Sequence, residues 1–206
     1  MKDKPNRSLG RPRASDIKKP TKQMILETAT ELFIARGYQE VSIDDVAKKC
    51  NVTKATVYYY YASKANLFTE TMVQMMLRIR GYMKKMLEED IPLRDRLLKV
   101  TIAHLHATFD LDLEGFMRET KNALTKEQVK MIHQAEETMY EAIEIAFNKE
   151  IEAGKIGTVN TKFAAHSFTS LLKVGNYRDA NNNPIFSSVE ETAEQIITFL
   201  WKGLYN

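Results

Sequence analysis

The stretch IDDVAKKCNVTKATVYYYY, residues 43–61, decides the architecture. Just before it, Ser42 with Asp45 makes a capping box: the hydroxyl accepts an orphan backbone N–H and the carboxylate reaches back to another. This starts a short helix holding Val46 and Ala47. Asn51 interrupts it, since Asn is one of the few residues that tolerates the left-handed turn conformation. Thr53 caps a second short helix that runs through Tyr61. Val57 and Tyr61 lie four apart and face inward, with Val52 sealing the turn. That leaves Lys54, Ala55, Thr56, Tyr59 and Tyr60 facing solvent.

Two short helices joined by a tight turn are unstable alone and need a third element to pack against. The segment before them supplies it: Ile25, Ala29, Leu32 and Phe33 form one helical face from Thr21, and Gly37 ends that helix as a C′ glycine does. Three helices in this order are the arrangement of a DNA-binding helix-turn-helix, with the second short helix in the major groove. Exposed tyrosines beside a lysine suit phosphate and base contacts better than a solvated surface. Ala55 is small enough to let the helix approach base edges and to touch a thymine methyl.

Charge supports a polyanionic partner. Residues 1–22 hold eight Lys/Arg against Asp3 and Asp16, a net +6 in a chain that totals +3, so the rest is mildly acidic. Three of the five prolines fall in the first 20 residues, which read as an extended arm over 1–19. Within it, Leu9-Gly10-Arg11-Pro12-Arg13 is similar to an AT-hook, in which Arg enters a narrow A·T minor groove.

The stretch CNVTKATVYYYYASKANL, residues 50–67, resembles the signature of TetR-family transcriptional regulators, and with the preceding helix the resemblance covers roughly residues 20–70. The family usually carries Gly where Asn51 and Ala55 stand, His at Tyr60 and Phe at Tyr61; this chain keeps the aromatic character at the last two. The resemblance implies that Thr53, Lys54, Ala55, Thr56 and Tyr59 lie at base edges or nearby phosphates. It implies that Tyr58, Tyr60, Lys64 and Ser42 fix the helices on the DNA backbone; Arg11 and Arg13 belong to the arm, where minor-groove insertion competes with plain phosphate attraction. It also implies a homodimer joined through its last two helices on a palindromic operator.

Beyond residue 68 the periodicity stays helical, and the expected fold is all-α with about nine helices. A helix from Ser63 places Phe68, Met72, Met76, Ile79, Met83 and Met86 on one stripe. Another runs from Leu93 to Phe109. Thr125 with Gln128 is a second capping box and opens a helix of about 27 residues, closed by Gly154 and Gly157. Residues 160–175 form a helix, Asn181 to Pro184 a loop, and Ser188 with Glu191 caps the last helix. The expected division is an arm over 1–19, a DNA-binding domain over 20–68 with its recognition helix at 53–61, and a ligand-binding and dimerisation domain over 69–206.

Both of the last two helices carry wide apolar faces. The expected dimer interface is Phe168, Leu171, Leu172, Gly175, Ile196, Ile197, Leu200, Trp201 and Leu204, since an apolar patch this large is unfavourable on a monomer. A small-molecule pocket is expected between helices over about 80–150. Its candidate lining is Met83, Phe109, Phe116, Met139, Tyr140 and Phe147, with His104 and His166 as polar contacts. Simple core packing is the competing reading for the methionines.

Other function classes find no support. His104 and His106, two apart on a helix, point about 200° away from each other and cannot share an ion. There is no Glu-x-x-His pair, phosphate-binding Gly loop, nucleophile elbow or zinc-type Cys set, so neither an enzyme nor a metal or cofactor is expected. Cys50 is the only cysteine, the N-terminus lacks an apolar signal core, and no long apolar run occurs. The expected setting is the cytoplasm, with no membrane partner. Expected partners are double-stranded DNA carrying a palindromic operator, a second copy of the chain, and a largely apolar effector. A ligand-released repressor is the leading expectation; an architectural or activator protein without an effector is the alternative.

Overall fold

The structure, a computed structural model, describes residues 20–108, 120 and 122–205. Eight helices and no strand occur among the described residues, close to the expected nine. They are α1 (Thr21–Glu40), α2 (Ile43–Cys50), α3 (Lys54–Tyr60), α4 (Lys64–Leu87), α5 (Leu93–Thr108), α6 (Lys126–Glu152), α7 (Thr161–Gly175) and α8 (Val189–Tyr205). Helical geometry in α1 breaks at Gly37, whose φ of 79° only glycine adopts cheaply.

The caps are those the sequence specifies. Ser42–Asp45 and Thr125–Gln128 both form complete capping boxes, and Thr53, Ser63 and Asn160 each accept a backbone N–H in the first turn of their helices. One differs. Ser188 accepts the Glu191 N–H as expected, but the Glu191 carboxylate turns to the backbone and hydroxyl of Ser187 instead, one residue earlier.

Two main apolar cores organise the chain. The first gathers Ile25, Ala29 and Phe33 of α1 with Tyr38, Val46, Val57, Tyr61, Leu67, Phe68 and Met72. Phe68 meets Phe33 and Tyr38 edge-on, at centroid distances of 5.2 and 5.0 Å, an arrangement that favours aromatic pairs beyond area burial. This core does not stop at residue 68. Ile132 of α6 is buried in it, with Met75 and Met76 packed alongside.

The second core joins Met83 and Leu87 of α4 to Leu97, Ile143, Phe147, Ala164, Phe168, Ile197 and Leu200. Helix α4 therefore contributes to both cores. Its expected stripe is corrected at one position: Ile79 faces solvent, while Arg80 turns inward and donates through Nε to the Thr138 carbonyl of α6 at 3.1 Å.

A buried ion pair fastens the C-terminal end of α4. Arg96 donates to the Leu87 carbonyl at 2.7 Å and to Glu150 Oε1 at 2.5 Å. Both side chains are almost fully buried, and Lys155 Nζ also lies 3.7 Å from Glu150 Oε2, so loss of Glu150 strands the Arg96 charge while loss of Arg96 leaves Glu150 with the exposed Lys155.

Gly175, expected at a dimer interface, works inside the subunit. A Cβ there would stand 2.7 Å from Leu105 Cδ2 and 3.0 Å from Ile196 Cδ1. The missing side chain lets α7 close on α5 and α8.

Candidate nucleic-acid interface

The turn between α2 and α3 is built on Asn51, which takes φ 54° and ψ 45°, the left-handed conformation. Its N–H reaches the Lys48 carbonyl and the Val52 N–H the Ala47 carbonyl, at 3.1 and 3.0 Å, so two of the carbonyls at the end of α2 are satisfied. Val57 is fully buried and anchors α3 from below. Tyr61 is buried too, its hydroxyl donating to the Lys22 carbonyl of α1 at 3.2 Å. Burial pushes the Tyr61 phenol up to about 12.

These anchors leave Lys54, Ala55, Tyr58, Tyr59 and Tyr60 exposed, Tyr59 to 82%. Rings so exposed are unusual without a partner surface. Tyr59 and Tyr60 meet edge to face at 5.0 Å, which holds both rings outward on α3. Thr53 and Thr56, also expected at the interface, pair their hydroxyls at 2.8 Å, and Thr53 Oγ1 caps the helix.

Ser42 sits at the N-terminus of α2 with its side chain committed to Asp45. Those hydrogen bonds hold the Asp45 carboxyl below the usual carboxylate range. Lys54 is bound to Asp44 of α2, Nζ to Oδ2 at 2.7 Å, and this contact raises the ammonium pKa. Lys64 differs from a free backbone clamp. Its ammonium lies 4.3 Å from the Tyr38 ring centroid and donates to the Gln39 carbonyl at 3.2 Å, so it ties α4 to the end of α1. Partial burial lowers its pKa. Arg11 and Arg13 lie outside the described residues.

The pocket candidates fall into three groups. Met83 and Phe147 are core residues of the second cluster, with Met139 partly buried against it. Tyr140 and His166 stack at 4.2 Å and join α6 to α7. His104 stands on α5 with Nε2 buried and without a hydrogen-bond partner, and burial lowers its pKa. Phe109 and Phe116 lie outside the described residues. Among the described residues, no group of three or more His, Cys, Asp or Glu side chains is placed to hold a metal. No described helix is long and apolar enough to cross a membrane.

The expected dimer residues divide by burial. Phe168, Leu172, Ile196, Ile197 and Leu200 are buried in their own subunit. Leu171, Trp201 and Leu204 are half-buried against the same core. The apolar side chains that α7 and α8 do expose are Phe163, Val174 and Phe199, the two phenylalanines to 67% and 70%. Periodicity finds the apolar faces of these helices but not which edge of each face its own subunit covers.

Comparison with known proteins agrees with this geometry. Residues 25–71 match the family model for bacterial regulatory proteins of the tetR family. The HTH-type transcriptional regulator YhgD of Bacillus subtilis is 26% identical over 146 residues, 70% of this chain and 76% of its own length. IcaR of Staphylococcus aureus, an HTH-type negative transcriptional regulator of the icaADBC biofilm operon, is 36% identical over 50 residues, 24% of this chain and 27% of its own. The fold extends beyond the reading head. The transcriptional regulator FadR of Bacillus subtilis, solved in complex with stearoyl-CoA, superposes with a TM-score of 0.69 over 89% of this chain and 99% of its own, at 15% identity. Over residues 25–71, which hold α2 and α3, the chain matches the tetR family of bacterial regulatory proteins, and over most of its length it shares the fold of solved transcriptional regulators.

Proposed function

We propose that the chain is a homodimeric repressor that holds a palindromic operator and is released from it by a small molecule. The observation that carries this is the combination, in one chain, of an outward-facing aromatic helix α3 and of large apolar side chains, Phe163, Val174 and Phe199, exposed on α7 and α8. Pairing α7 and α8 across a two-fold axis covers such side chains and doubles the reading heads. Two copies of α3 then enter successive major grooves about 34–36 Å apart. The negative regulator IcaR supports the sign of regulation, and the cytoplasm is the proposed compartment.

Helix α4 is the proposed link between body and reading head. It is held at three points: by Lys64 to the end of α1, by Arg80 to α6, and at Leu87 by Arg96. An effector that favours a shifted α4 moves α3 with it, provided it binds the shifted state more tightly. Met139, Tyr140, His104 and His166 are the proposed contacts, with Met83 and Phe147 forming the apolar floor. FadR, bound to stearoyl-CoA, supports an apolar effector.

The experiment is capture of genomic fragments by the purified protein, followed by addition of compound classes that include long-chain acyl-CoA. Enrichment of one palindrome, and its release by one class, is the expected result. Enrichment with no release by any class would favour the architectural or activator role.

A further inference from the structure

Every polar side chain in the first turn of α3 is already committed before DNA arrives. Thr53 and Thr56 share a hydrogen bond at 2.8 Å, Ala55 offers only a methyl, and Lys54 is held by Asp44 at 2.7 Å. The Lys54–Asp44 contact joins the two helices of the reading head across the turn. Both of its side chains are about half exposed, and exposed ion pairs of this kind add little to stability. Nor is Asp44 needed as a cap, because Ser42 and Asp45 close that end of α2 between themselves. A carboxylate on a surface that meets phosphates weakens binding by simple repulsion, so its presence calls for a compensating role.

We propose that Asp44 is a specificity-determining residue, which fixes the Lys54 ammonium in place for a base-edge acceptor and withholds it from the phosphates. This rests on the reading of α3 as the DNA-recognition helix. An ammonium has three donors, and Asp44 Oδ2 engages one. The other two serve an acceptor that comes to the tethered position, such as the O6 and N7 of guanine. A phosphate elsewhere along the backbone is reached only by leaving Asp44. An untethered lysine on a flexible stem would bind any sequence through the nearest phosphate. The tether lowers indiscriminate affinity and keeps the contact where sequence can reward it.

The test is a double-mutant cycle of Asp44→Asn and Lys54→Met, with binding measured to a random-sequence duplex and to the duplex enriched by selection. Asp44→Asn alone should tighten random-duplex binding by about three- to tenfold and steepen its salt dependence by about one phosphate contact, a slope change near 0.9. Enriched-duplex binding should not tighten, so the preference falls by the same factor. In the Lys54→Met background, Asp44→Asn should change neither the slope nor the preference. An equal tightening in both backgrounds would show Asp44 acting as bulk charge and overturn the proposal. An unchanged preference in Asp44→Asn would overturn it as well. Failure of the wild-type chain to bind any duplex would instead overturn the DNA reading, and this inference with it.

Discussion

Phe199→Glu should convert the protein to monomers without unfolding it. Phe199 is 70% exposed on α8, so its ring contributes little to the core of its own subunit. Burying an exposed phenylalanine stabilises by about 1.5–3 kcal/mol, and a two-fold interface buries the ring twice, which gives about 3–6 kcal/mol per dimer. That corresponds to a loss of about two to four decades in dimer affinity, before the added carboxylates repel. Trp201→Glu is a poorer test, because Trp201 packs on the second core and its loss confuses folding with assembly. Sedimentation velocity across a dilution series reads the dimer constant, and thermal unfolding checks that the subunit remains folded. A dimer that survives Phe199→Glu at wild-type affinity would refute the α7–α8 interface.

Three further outcomes follow from the interior. Glu150→Met should cost about 3–5 kcal/mol in chemical denaturation by stranding Arg96, while Glu150→Met with Arg96→Met should recover most of it; equal losses would mean that packing, not charge, governs the site. Tyr61 titrates at about 12, above its ordinary value, so its contribution is complete below pH 10 and is lost as pH rises from about 10 to 12. Tyr61→Phe should flatten that part of the stability–pH curve, and a curve unchanged in shape would show that the phenol is not the group responsible. His104 has the opposite sign: its lowered pKa favours the neutral ring in the folded chain, so stability falls as pH drops below about 6.5. His104→Leu should remove that dependence in an acid titration followed by circular dichroism.

Much of this was legible in residue order because it depends on local chemistry. Ser42 and Asp45, Asn51, Thr53, and Val57 with Tyr61 each act within four residues of themselves, and each stands where spacing predicts. What spacing cannot supply is the identity of the facing element. Ile79 and Arg80 exchange the inward position because α6 presents the Thr138 carbonyl there. Lys64 becomes an internal clasp because Tyr38, 26 positions earlier, lies beneath it. Phe168 and Ile197 read as interface from the breadth of their apolar faces, although a core stripe has the same period. Only the packing of α5, α6, α7 and α8 separates them, leaving Phe163, Val174 and Phe199 on the outside. Asp44 carries no local sign that it meets Lys54, ten positions away across the turn.

The central claim is that α3 reads DNA from a two-fold assembly. Selection of bound sequences from a random pool, with wild-type protein and Tyr59→Ala in parallel, tests it most directly. The account predicts an inverted repeat with half-sites about 10 base pairs or a multiple apart, preferred over random sequence by about a thousandfold or more. Tyr59→Ala should lose that preference while unfolding at the wild-type temperature. Enrichment of the same repeat by Tyr59→Ala at undiminished affinity, or no repeat at all with the wild-type protein, would contradict it.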